Sequence, residues 1–139
     1  MARKAPIWID ERDVLALHDR LLALDGGAAG LSDSNLLKSA LARPGQLQAY
    51  GDQPDVIDLA AAYSAGIVRN HPFVDGNKRT GFIVGVLFLE INGYRFIASE
   101  ADATQAVLAL AAGALDEAAF AAWMRANTRA TRTTASEDR

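Results

Sequence analysis

Most of the chain's reactive side chains sit in one short stretch. His71, Asp75, Asn77, Lys78 and Arg79 follow closely on Arg69, with Pro72 and Gly76 between them. His71 is one of only two histidines. A histidine is the commonest general base. A lone carboxylate such as Asp75 suits Mg²⁺, which is often held by one or two carboxylates plus phosphate oxygens. Lys78 and Arg79 open an apolar run, where a helix N-terminus would favour Asp or Glu. A stability-driven sequence would not place cations there. An anion at that end resolves the conflict, because backbone N–H groups, the helix dipole and two cations then converge on it. Gly76 removes the Cβ that would block the approach. Each residue alone also fits a turn, an N-cap or a solvated surface position. Together they describe a base, a metal ligand and an anion cradle, and so a site for phosphoryl or nucleotidyl transfer.

Two helices must hold this loop. Val56, Leu59, Tyr63 and Ile67 recur at helical spacing, and Pro72 forces His71 out of the α region, so the first should stop near Asn70. The second should start near Asn77, run through Leu89, and end at Asn92 and Gly93. Apolar on nearly every face, it is expected to be the central buried helix.

The string HPFVDGNKRT, residues 71–80, resembles the signature of the Fic/Doc family, and its lysine resembles the Doc branch (death-on-curing toxins). The loop joins Fic-like HPF and DGN to Doc-like NKRT. The likeness runs from about Trp8 to about Arg125 and includes the segments GLSDSNLLKSALARP and IVRNH. It implies a Fic-fold helical bundle and assigns roles. His71 would deprotonate a target hydroxyl and Asp75 would bind Mg²⁺. Gly76, Asn77, Lys78 and Arg79, with Arg69 nearby, would hold ATP. Lys78 would fill the space that lets Fic proteins orient ATP for AMP transfer. In the Doc branch this goes with an inverted nucleotide and transfer of the γ-phosphate to a threonine of elongation factor Tu. The resemblance further implies restraint by a separate, Phd-like antitoxin whose disordered segment folds as a helix in a surface groove. It also implies a flap near the site that docks an extended stretch of target, placed here in the polar segment over residues 46–54. AMP transfer (protein adenylylation) and a non-catalytic nucleotide- or antitoxin-binding module are the alternatives.

Composition narrows the classes. The chain has 139 residues, half of them apolar, a net charge of −3 and no cysteine. One domain with a real core is expected. Nucleic acid as the main partner is disfavoured, since no basic tract is visible. Thiol catalysis and disulfides are excluded. No apolar run approaches the ~20 residues a membrane span needs, and the N-terminus does not resemble a signal peptide. A cytoplasmic protein is expected.

The remaining elements read in order. Ile7, Trp8 and Ile9 suggest a short strand. Asp10 and Asp13 suggest a capping box for a helix over residues 11–24 with a stripe of Val14, Leu17, Leu21 and Leu24, joined by Leu15 and Leu22. His18 lies beside that stripe and reads as a structural residue. Residues 25–30 read as a flexible turn. A second helix over 34–42 is expected to end at Arg43, Pro44 and Gly45. Asp55 and Asp58 suggest another capping box. Tyr63, Ser64, Ala65 and Gly66 lack the context of a nucleophile elbow. Residues 94–97 alternate like a strand. Ser99 and Asp116 should cap two final helices, the last carrying Phe120, Trp123 and Met124 as core. The expectation is an all-α bundle of about six or seven helices, with a possible short strand or hairpin, over residues 1–127. Residues 128–139 read as a disordered tail. Thr133 and Glu137 have the spacing of the Fic self-inhibiting Ser/Thr-x-x-x-Glu-Gly-Asn motif, but Asp138 stands where that motif has glycine.

Overall fold

The computed structural model describes residues 5–131. The chain there forms six helices and two short strands: α1 Glu11–Asp25, α2 Ser34–Tyr50, α3 Val56–Asn70, α4 Asn77–Ile91, β1 Tyr94–Phe96, α5 Glu100–Ala111, α6 Glu117–Ala126 and β2 Thr128–Ala130. The expected all-α bundle is what forms, with a single antiparallel pair added.

Five of the six helices start on a side-chain cap. Asp10 and Asp13 exchange bonds with each other's backbone N–H, and Asp55 and Asp58 do the same. Asp33, Ser99 and Asp116 accept from first-turn amides of α2, α5 and α6. Such a cap contributes ~1 kcal/mol by satisfying an otherwise orphaned donor. Only α4 lacks one among these helices.

The central helix is α3, not α4. Eleven of its residues are buried, including the unbroken run from Leu59 to Val68, and it touches α2, α4, α5 and α6. On α4, Phe82, Ile83, Val86 and Leu87 stay partly exposed. Apolar content alone pointed to α4, but small residues decide what can be surrounded. A Cβ at Gly66 would lie 3.2 Å from Ala40 of α2. One at Gly81 would lie 3.1 Å from the Ser64 carbonyl, and one at Gly85 3.0 Å from the Ala60 carbonyl. These glycines let α2 and α4 approach α3 almost backbone to backbone.

Three further expectations are corrected. α2 does not stop at residue 42 but runs through Pro44 to Tyr50. An interior proline typically costs ~3 kcal/mol. Here Leu37, Ala40 and Pro44 form the buried face of α2, so packing offsets that cost. On α1 the buried residues are Val14 and His18, while Leu24 is 72% exposed because the last turn extends beyond the core. Ile7 and Ile9 join no strand. Their backbone groups bond to side chains instead: Ile7 to the Asn92 amide, Ile9 to the Tyr63 hydroxyl.

The strand expected at residues 94–97 is β1, and its partner is a surprise. β2 pairs with it in the register Tyr94↔Ala130 and Phe96↔Thr128. Residues 128–130, assigned above to a disordered tail, are thus part of the folded unit. An edge-to-face chain through Phe82, Phe96 and Trp123 fastens this pair to α4 and α6. Thr133 and Glu137 lie outside the described residues.

Candidate functional site

α3 ends where proline demands. His71 adopts the left-handed conformation (φ 54°, ψ 54°), and its N–H still reaches the Ile67 carbonyl as the helix C-cap. That turn projects the His71 side chain outward, exposed, rather than along the helix. The next residues are tied down: Pro72 and Phe73 are buried. Asn77 closes the loop on itself. Its side-chain carbonyl accepts from the Phe73 N–H and its amide donates to the Phe73 carbonyl, both at 2.9 Å, and it is only 3% exposed. Its side chain therefore shapes the loop from within.

α4 begins on Gly76, in the left-handed region at φ +81°, with no side-chain cap and no acidic residue in the first turn. This is the N-terminus whose charges ran against the helix dipole. Lys78 and Arg79 are exposed there. Arg79 lies 3.5 Å from Asp25 at the end of α1, an exposed pair that a stronger anion can displace.

His71, Arg69 and Lys78 line one cavity of about 460 Å³. Val68 gives it an apolar floor, and the turn at the end of α5, residues 110–113, forms the opposite wall. Arg69 also donates to the Leu115 carbonyl at 3.3 Å, linking the cavity rim to that turn. The α5 wall had no signature in the sequence, since alanine and glycine contribute backbone and space rather than side-chain chemistry.

Asp75 stands at the loop's outer corner. Its Oδ1 accepts from the Gly76 N–H at 2.8 Å, and its Oδ2 from the Ala28 N–H at 3.3 Å. These amides, with Arg79 and Lys78 adding to them, hold its carboxyl below the usual 3.8. A carboxylate offers about four lone-pair sites, so two amide bonds leave acceptor capacity toward a cation. Among the described residues no three His, Asp or Glu side chains gather as a cage. One ionised carboxylate beside the uncapped start of α4 fits Mg²⁺ shared with phosphate oxygens, and does not fit a resident structural metal.

The segment between α1 and α2 borders the loop. Ser32 and Asp33 N–H groups donate to the Pro72 carbonyl, Val74 N–H donates to the Gly30 carbonyl, and Leu31 and Phe73 form an isolated antiparallel bridge. Residues 46–50, the start of the polar segment expected to form a flap, are helical and belong to the end of α2. The sequence signal missed was the glycine cluster: Gly26, Gly27 and Gly30 all have positive φ.

Fold and loop together define a helical bundle in which the His71 turn lies beside an uncapped, cation-bearing helix N-terminus. Residues 8–89 match the model of the Fic/DOC family. The chain belongs to that family. It is 40% identical over 93 residues to Toxin Doc of Mycolicibacterium smegmatis, covering 66% of this chain and 68% of that one. It is 34% identical over 85 residues to Protein kinase doc of Escherichia phage P1, covering 61% and 68%. No described helix is long and apolar enough to cross a membrane.

Proposed function

We propose that this chain is a Doc-type toxin that acts in the cytoplasm. It transfers the γ-phosphate of ATP to a threonine hydroxyl of a target protein, elongation factor Tu, and is restrained by a separate antitoxin of the Phd-like kind. The observation that carries this reading is the shared cavity: a candidate base, His71, and two cations, Arg69 and Lys78, face one space beside an uncapped helix N-terminus. The similarity to a toxin and to a protein kinase supports it.

The chemistry is positional and electrostatic. An imidazole nitrogen of His71 takes the hydroxyl proton. The hydroxyl oxygen bonds to the γ-phosphorus as the bond from that phosphorus to the β,γ-bridging oxygen breaks, and ADP leaves with that electron pair. First-turn amides of α4, Lys78 and Arg79 receive the phosphate, while Gly76 serves the turn, since a Cβ there would face His18 and Leu22 of α1. Asn77 contributes by holding the loop in shape. Mg²⁺ on Asp75, when bound, offsets charge on the phosphate oxygens. Lys78 selects between orientations of the nucleotide by occupying the cavity wall.

The test is label transfer. Purified protein freed of inhibitor is incubated with Mg²⁺, a bacterial lysate and ATP labelled at the α- or the γ-phosphate. A protein band labelled from γ alone is expected, and His71→Ala should remove it, a loss of at least ~10²-fold, while nucleotide binding persists. Full activity in that variant would end the proposed mechanism. Lys78→Gly should open the other orientation and yield label from α. Strong α-label with the unsubstituted protein would instead establish AMP transfer.

A further inference from the structure

His18 is 2% exposed, and its ring lies flat on Phe73, centroids 3.7 Å apart and planes 10° from parallel. Its Nε2 is 2.8 Å from the Asp75 carbonyl oxygen. A carbonyl only accepts, so Nε2 carries the proton and donates. Asp75 is thus gripped at its main chain from α1. It is gripped at its side chain from the loop that follows α1, by the Ala28 N–H. Gly27, at φ +123°, completes the arrangement, because a Cβ there would lie 2.8 Å from Asp75 Oδ2 and 3.0 Å from Leu22. Only glycine leaves the carboxylate its place.

We infer that His18, with the Gly27–Ala28 backbone, is a positioning residue that fixes the Asp75 carboxylate for a divalent cation before the cation arrives. The inference rests on the reading of Asp75 as the Mg²⁺ ligand. The Gly76 and Ala28 amides each bond a different carboxylate oxygen, which holds the group in one orientation and leaves its other lone pairs to accept a cation. A cation binding there orders little that is not already ordered, which is the general source of gain from preorganisation. Groups that orient a metal ligand without touching the metal typically change affinity by about 10–100-fold.

The experiment compares two affinities of the whole protein for the non-hydrolysable analogue AMP-PNP by titration calorimetry, one with Mn²⁺ and one in EDTA. Their ratio is the metal-dependent gain. His18→Phe keeps the stack on Phe73 and loses the donor. It should lower the gain about tenfold and leave the EDTA affinity unchanged. His18→Gln, whose amide can donate to the same carbonyl, should restore most of the gain. Gly27→Ala, on an exposed loop, should also lower it and serves as the test if His18→Phe does not fold. An undiminished gain in the folded variants, or equal weakening with Mn²⁺ and in EDTA, overturns the inference and reduces His18 to packing. No gain in the unsubstituted protein, or a full gain in Asp75→Ala, instead removes the metal reading beneath it.

Discussion

The N-termini of α3 and α4 are built on opposite plans. α3 opens on a reciprocal Asp55–Asp58 capping box, and Arg125 from α6 bonds both carboxylates at 2.9 to 3.0 Å. Every local preference is met there: a capping oxygen, acid in the first turn, and a cation to balance it. α4 opens on a glycine with no capping side chain, and its first turn holds Lys78 and Arg79. The first end is satisfied by its own side chains, and the second has no side-chain cap. The difference separates residues kept for stability from residues kept at stability's expense, and it does so within one molecule and at equivalent positions of neighbouring helices.

If that contrast is right, repairing α4 should harm function and damaging α3 should not. The largest effect is expected from Lys78→Glu. It should abolish phosphate transfer, by more than ~10²-fold, by placing a carboxylate where an anion must bind. The same change should raise stability by roughly 0.3–1 kcal/mol in denaturant unfolding, since it agrees with the helix dipole. A variant that is both active and more stable would break the comparison. The mirror experiment is Asp55→Ala. Loss of the cap should cost ~1–2 kcal/mol, with transfer by the folded fraction unchanged.

The smallest effect is in pH. Burial pushes the Asp55 carboxyl up, but the Asp58 amide and Arg125 outweigh it and hold it below 3.8. Asp75 is also held below 3.8, by the Gly76 and Ala28 amides first. A carboxyl depressed in the folded state stabilises above its unfolded pKa, and the stabilisation is lost as pH falls through the folded value. Melting temperature should therefore be flat, as far as these groups are concerned, from pH 5 to 8 and fall below about pH 4. In Asp55→Ala the fall should be shallower, since one contributor is gone. An equal fall would locate the acid sensitivity elsewhere.

Much of this was legible because local chemistry and global fold agree. The capping boxes at Asp10 and Asp55, the stop at Asn70 and the core role of Phe120 and Met124 follow from spacing and side-chain type alone. Lys78 and Arg79 stand out in the sequence for the opposite reason, since they run against the dipole preference at the start of α4. What stayed hidden depended on neighbours in space. Pro44 reads as a breaker until it is seen on the buried face of α2. Nothing local reveals that Thr128 will pair with Phe96, or that Ala28 will bond Asp75, because these partners are far apart along the chain. His18 was read as structural, and it is buried and bonded, but its partner in the site could not be known from spacing.

The glycine seam between α3 and α4 carries a consequence for how such a protein can change over generations. His71 closes α3, and the Lys78–Arg79 turn opens α4, so their separation is inherited from the way the two helices meet. At Gly81 and Gly85 an added Cβ would meet the Ser64 and Ala60 carbonyls at 3.1 and 3.0 Å, and the Val68 and Ser64 side chains closer still. The same seam makes those two positions intolerant, because even an added methyl would wedge the helices apart and open the site. Freedom to diversify the outer faces is thereby separated from the way these two helices meet.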